Sequence, residues 1–116
     1  KIIFNKLKKK SCNFTKIIHP SAIISQSAKI KKGSFIAAGV IITNNVLISE
    51  NCIINTGAII EHDVTIEKHC HISTGVILNG GVIIGEGSFI GSGSIIHEQV
   101  KIKKNSIIPA GSIIKK

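Results

Sequence analysis

Isoleucine returns at every sixth position of this chain from Ile18 to Ile114: seventeen positions, sixteen of them Ile and one Leu, Leu78. An internal repeat constrains a fold more than any other feature, because each unit must bury its apolar residue against its neighbours. Two residues before each of these, from Ala22 to Ser112, all sixteen positions hold Ala, Ser, Cys or Val. Three residues after, from Ser21 to Gly111, sixteen positions hold eight Gly, three Asn, two Ser and one each of Asp, His and Gln. The hexad therefore reads small–x–Ile–x–x–Gly/Asn. Small residue and Ile lie two apart, so they share one side of a short strand. Gly or Asn follows where the backbone must turn, since these residues tolerate positive φ. A period of six would wander around an α-helix. The pattern predicts an all-β parallel β-helix over residues 17–116, with strands stacked at ~4.8 Å.

Hexapeptide β-helices place three hexads in a coil, so residues eighteen apart should stack, in about five and a half coils. The residue before each core Ile points outward, and these residues sort into three faces. One carries Ile23, Ile41, Ile59, Ile77, Ile95 and Ile113. A second carries Lys29, Leu47, Thr65, Ile83 and Lys101, and a third Phe35, Ile53, His71, Phe89 and Ile107. An unbroken stripe of six Ile is too apolar to face water. It predicts a contact between copies, and three prisms around an axis, a homotrimer, is the economical closure.

Composition narrows the function classes. No run of ~20 apolar residues occurs, so no membrane span is expected. The net charge is +9, from fifteen Lys and no Arg, clustered at Lys6 to Lys10, Lys29 to Lys32 and Lys101 to Lys116. Such a surface favours anionic partners. Nucleic acid is disfavoured: no Arg reads guanine and few aromatics stack on bases. A phosphate-bearing small molecule fits. Cys52 and Cys70 occupy the small inward position, eighteen apart, and are read as core residues; they lack the paired spacing of a zinc site. With Cys12 they make three free thiols, which suits a cytoplasmic setting.

Departures from the repeat are the place to seek function. His62 falls two past core Ile60, at a corner beside the Ile stripe, with Asn44 below it and Gly80 above. Gly80 is not the turn glycine of its hexad, since Gly81 fills that slot. A glycine directly above a histidine leaves an opening and a backbone N–H. Glu61 and Asp63 flank His62, and either could raise its basicity or fix its tautomer. His71 interrupts a mostly apolar outward face and would approach a neighbouring chain's His62. His69 fills a turn slot, His97 lies on the surface, and His19-Pro20 opens the solenoid.

The run from Ile18-His19-Pro20-Ser21-Ala22 onward resembles the hexapeptide-repeat sugar acetyltransferases, including sialic acid O-acetyltransferases and the N-acetyltransferases of UDP-linked 4-amino sugars. The matching stretches are Asn55 to Asp63, His71-Ile72-Ser73-Thr74-Gly75, Gly80 to Gly85, and Ser88-Phe89-Ile90-Gly91-Ser92-Gly93. The resemblance implies a left-handed β-helix, a trimer, and acetyl-CoA as co-substrate without a metal. It implies an N-terminal nucleotide-sugar domain, of which residues 1–16, with Ile3, Phe4 and Leu7 at helical spacing, would be the remnant. His62 would be the general base, with the acid matching Asp63 supporting it. His71 would contact acetyl-CoA, the Gly80 amide would meet the acetyl carbonyl, and Ser92 and Ala110 would line the pantetheine arm. Lys104, with Lys101, Lys103, Lys115 or Lys116, is the candidate for the CoA phosphates. Two rivals are a non-catalytic solenoid and a zinc-dependent β-helical carbonic anhydrase. The latter needs three converging histidines, and His62, His69 and His71 do not supply them at their spacing.

Overall fold

Every hexad contributes one two-residue strand, from Ile17–Ile18 to Ile113–Ile114. The computed structural model describes residues 16–116, so the expectations for Ile3, Phe4, Leu7 and Cys12 lie outside the described residues. Each strand pairs in parallel with the strand eighteen residues on, as in His71↔Phe89 and Ile59↔Ile77. Stacking yields three sheets. The isoleucine sheet runs from Ile23–Ile24 to Ile113–Ile114, the histidine sheet from Ile17–Ile18 through His71–Ile72 to Ile107–Ile108, and the mixed sheet from Lys29–Ile30 to Lys101–Ile102. These are the three faces expected from the spacing. No helix occurs among the described residues, so none is long and apolar enough to cross a membrane.

Hydrogen bonds explain why so short a strand suffices. The first strand residue donates to a carbonyl seventeen residues ahead: Ile59 N–H to Val76 O at 2.8 Å, Ile77 N–H to Ser94 O at 2.9 Å. The corners close in the opposite direction. All fourteen turn slots from Gly33 to Gly111 have φ between 58° and 78°, the left-handed region. From Asn51 upward their N–H groups donate back nineteen residues, as Gly57 does to Ala38 O at 2.9 Å, while Gly39 and Asn45 donate to Ser21 Oγ and Ser27 Oγ. A residue in any other conformation would break this ladder, which is why Gly and Asn recur there.

Inside the prism the core column from Ile36 to Ile96 is at most 1% exposed at every sixth residue. Each such side chain contributes roughly 1.5–3 kcal/mol of burial free energy. The small column beside it admits serine because its hydroxyl bridges coils. Ser34 Oγ donates to Ser49 O at 2.9 Å and accepts from Cys52 N–H at 3.1 Å; Ser88 and Ser94, one hexad apart, do the same in the upper coils. Cys52 and Cys70 are buried and stacked as expected, their thiols donating to Glu67 O and Gly85 O at 3.1 and 3.2 Å. The Cys70 side chain and burial hold the Cys52 thiol well above its usual range, which favours the protonated thiol.

Two glycines outside the turn slots carry a packing role that the repeat did not reveal. A Cβ on Gly85 would lie 2.4 Å from Lys104 N, and one on Gly91 would lie 2.4 Å from Ala110 N. The coil above is drawn in over both, and the obstacle is backbone, which cannot rotate away. Gly91→Ala is expected to destabilise the fold by ~1–3 kcal/mol, the range for overpacking. Thermal unfolding checks this, and an unchanged midpoint would contradict the close approach.

Candidate active site

His62 lies at the corner joining strand Ile59–Ile60 of the isoleucine sheet to strand Thr65–Ile66 of the mixed sheet. The corner turns through Asp63, which takes φ 61° and donates its N–H to Asn44 O at 3.0 Å. That conformation places the carboxylate beside the preceding ring: His62 Nδ1 and Asp63 Oδ2 are 3.0 Å apart. With Nδ1 donating to Asp63, Nε2 is left as the basic nitrogen. Both side chains are open to solvent, at 65% and 59% exposure. Glu61 is half-buried, its N–H tied to Leu78 O at 2.9 Å, and its carboxylate has no hydrogen-bond partner among the described residues. Of the two flanking acids, the geometry selects Asp63.

Gly80 sits directly above the imidazole. A Cβ there would lie 2.6 Å from both His62 Cε1 and Nε2, so the ring occupies the space of the absent side chain. Gly80 O accepts from Gln99 N–H at 2.9 Å, while its N–H donates to nothing among the described residues. A base nitrogen and a free amide donor thus meet at one corner. This is the arrangement needed to remove a proton beside a developing oxyanion.

The remaining candidates lie elsewhere on the prism. His71 is on the histidine sheet between Ile53 and Phe89, its ring edge-on to Phe89 with centroids 5.1 Å apart. Burial pushes its pKa below the usual imidazole value, which favours the neutral ring. Its Nε2 is buried without a partner, unlike any other side-chain polar atom among the described residues. An orphaned buried nitrogen costs free energy unless a ligand or another chain satisfies it. Ser92 and Ala110 stack at the corner between the histidine and isoleucine sheets, linked by Gly111 N–H to Ser92 O at 2.8 Å. Lys104 is exposed at the corner between the mixed and histidine sheets. One chain therefore gathers His62, Asp63 and Gly80 but separates them from Ser92 and Ala110 by the isoleucine face. At the C-terminal end, Gln99, Lys101, Lys115 and Lys116 with Ile102 and Ile114 border a cleft of about 670 Å³. His69 fills its turn slot at φ 62°, within 3.3 Å of Asn51 Nδ2. Among the described residues no three His, Cys, Asp or Glu side chains converge as metal ligands.

Comparison with known proteins follows the same lines. Residues 81–116 match the family described as bacterial transferase hexapeptide (six repeats). A solved structure similar to this chain is that of perosamine N-acetyltransferase from Caulobacter crescentus, a histidine-to-asparagine variant in complex with CoA and GDP-perosamine. It is 34% identical with a TM-score of 0.89, over 97% of this chain and 55% of that one. The acetyltransferase domain of PglB from Neisseria gonorrhoeae is 30% identical with a TM-score of 0.88, over 98% and 58%. A hexapeptide transferase family protein from Anaplasma phagocytophilum, 21% identical with a TM-score of 0.72 over 87% and 66%, shares the fold. No curated protein matches the sequence significantly. The chain thus spans little more than half the length of the first two, 55% and 58%.

Proposed function

We propose that this chain is the acetyl-transferring β-helix of an acetyl-CoA-dependent sugar N-acetyltransferase. The observation that carries the reading is the corner itself: His62 Nε2 against the alpha carbon of Gly80, with Nδ1 held by Asp63. In the mechanism, an amine nitrogen of the acceptor attacks the thioester carbonyl carbon while His62 Nε2 takes a proton from that amine. The carbonyl oxygen becomes an oxyanion facing the Gly80 N–H. Collapse breaks the carbon–sulfur bond, and the thiolate of CoA leaves and takes the proton held on His62 Nε2. Asp63 keeps Nδ1 protonated and stabilises the imidazolium.

The acceptor class we favour is a nucleotide-linked amino sugar rather than sialic acid, since the relative from Caulobacter was solved with GDP-perosamine. CoA accompanies the Caulobacter structure and acetyl-CoA a second structure of the PglB domain, which supports the donor.

The working unit is a homotrimer in this reading. The isoleucine sheet leaves Ile23 and Ile113 at 66% and 60% exposure, and the histidine sheet leaves Phe35, Phe89 and Ile107 at 41%, 39% and 77%. Two different apolar faces on one prism suit a cyclic heterologous contact. A neighbouring chain seated there would cover them and supply a partner for His71 Nε2. Release of free CoA thiol from acetyl-CoA by the full-length protein, in the presence of nucleotide-linked amino sugars, tests the activity. No thiol release with any such acceptor overturns it. A monomeric mass in sedimentation at micromolar concentration overturns the trimer.

A further inference from the structure

Gln99 is out of place by residue type. It occupies a turn slot at φ 65°, and the other described non-glycine residues with positive φ are Asn, Asp or His. Those three types tolerate the left-handed region through their short polar side chains; glutamine gains no such relief. Backbone strain retained at one position calls for a function that repays it.

The side chain indicates what that function is. Gln99 is exposed, and its carboxamide lies over Gly81. A Cβ on Gly81 would meet Gln99 Nε2 at 2.6 Å and Cδ at 3.0 Å. Gly81 follows Gly80, whose own missing side chain makes room for His62 from below. Two consecutive glycines, with alpha carbons ~3.8 Å apart, thus hold an imidazole rising from one coil and a carboxamide descending from the next. The Gln99 N–H also anchors Gly80 O at 2.9 Å. On its other side Gln99 borders the C-terminal cleft shared with Lys101, Lys115 and Lys116.

We propose that the Gln99 carboxamide is a donor-binding group, hydrogen-bonding the secondary amide of the pantetheine arm next to the thioester. The proposal rests on the acetyltransferase reading of the His62 corner. With the acetyl carbonyl at the Gly80 N–H and the phosphates drawn to the lysines, the arm must pass the coil of Gln99. A carboxamide both donates and accepts, which complements a secondary amide.

The test is steady-state kinetics on the full-length protein with Gln99→Gly. Glycine occupies eight described turn slots with positive φ, so the corner keeps its conformation while losing the carboxamide. The KM for acetyl-CoA should rise ~10-fold, about the weight of one hydrogen bond, with the KM for the acceptor unchanged and the unfolding midpoint no lower, since glycine takes positive φ without strain. Gln99→Asn, which shortens the side chain at a slot type that Asn45 and Asn105 already fill, should show the same selective rise. An unchanged KM for acetyl-CoA, or an equal rise in both KM values, overturns the assignment. Wild-type protein that transfers no acetyl group at all overturns the underlying reading of function instead.

Discussion

Alanine in place of His62 is expected to lower kcat by ~10²–10⁴-fold, the range for loss of a positioned general base. The fold should not change. His62 is 65% exposed at its side chain, and its only side-chain hydrogen bond among the described residues is to Asp63. No core contact is lost, and the corner ladder runs through backbone groups, Gly81 N–H to His62 O at 3.0 Å, which alanine retains. The unfolding midpoint and oligomeric mass should therefore match the parent. KM for acetyl-CoA should move little, because the base acts on the acceptor's proton. Asp63→Asn should cost less than His62→Ala, since asparagine keeps the left-handed corner and can still bond Nδ1 but cannot stabilise the imidazolium. Near-parental turnover in His62→Ala removes His62 from the chemistry.

Most of the fold was legible because one period dictates it. Two residues two apart choose the inner side of a strand, and the third choice, Gly or Asn, turns the corner; the stacked pair His71↔Phe89 follows from counting eighteen. The vertical neighbours of His62 were legible for the same reason. What the repeat did not reveal depends on how far each coil shifts over the one below. Gly85 and Gly91 occupy a slot where Lys31, Glu61 and His97 are accepted elsewhere, so their need to be glycine appears only when Lys104 N and Ala110 N close over them. The choice between Glu61 and Asp63 turned on backbone conformation. Only Asp63 is in the left-handed slot that brings a carboxylate to Nδ1. The placement of the Gln99 carboxamide over Gly81 is not legible in the hexad, because side-chain direction is not written there. The unusual residue type at a positive-φ slot was the signal available, once the slot itself was recognised. Handedness of the coil is likewise independent of the period; it came with the family resemblance, not with the spacing.

Gly80→Ala is the sharper experiment, because it alters neither the base nor the turn. Gly80 does not have positive φ, so its backbone accepts alanine without conformational strain. Its added methyl would lie 2.6 Å from His62 Cε1 and Nε2 and 3.3 Å from Cδ2. Those atoms belong to an exposed ring, which can swing away, so the cost falls on position rather than on stability. Swinging moves Nε2 off the line between the attacking amine and the Gly80 N–H. A misplacement of about an ångström costs ~10²-fold in rate, and the methyl also crowds the oxyanion donor, whose loss alone costs ~10²–10³-fold. The two effects act on one transition state, so they will not multiply fully. A fall in kcat of at least ~10²-fold with an unchanged unfolding midpoint is the expected result. The double variant Gly80→Ala, His62→Ala should be worse than His62→Ala only by the share of the crowded amide, because the alanine at 80 then has no ring left to displace, so the two losses should fall short of additive. Full additivity in that cycle, or parental activity in Gly80→Ala alone, would mean that the imidazole does not work from beneath the Gly80 alpha carbon, and the proposed geometry of transfer would fail.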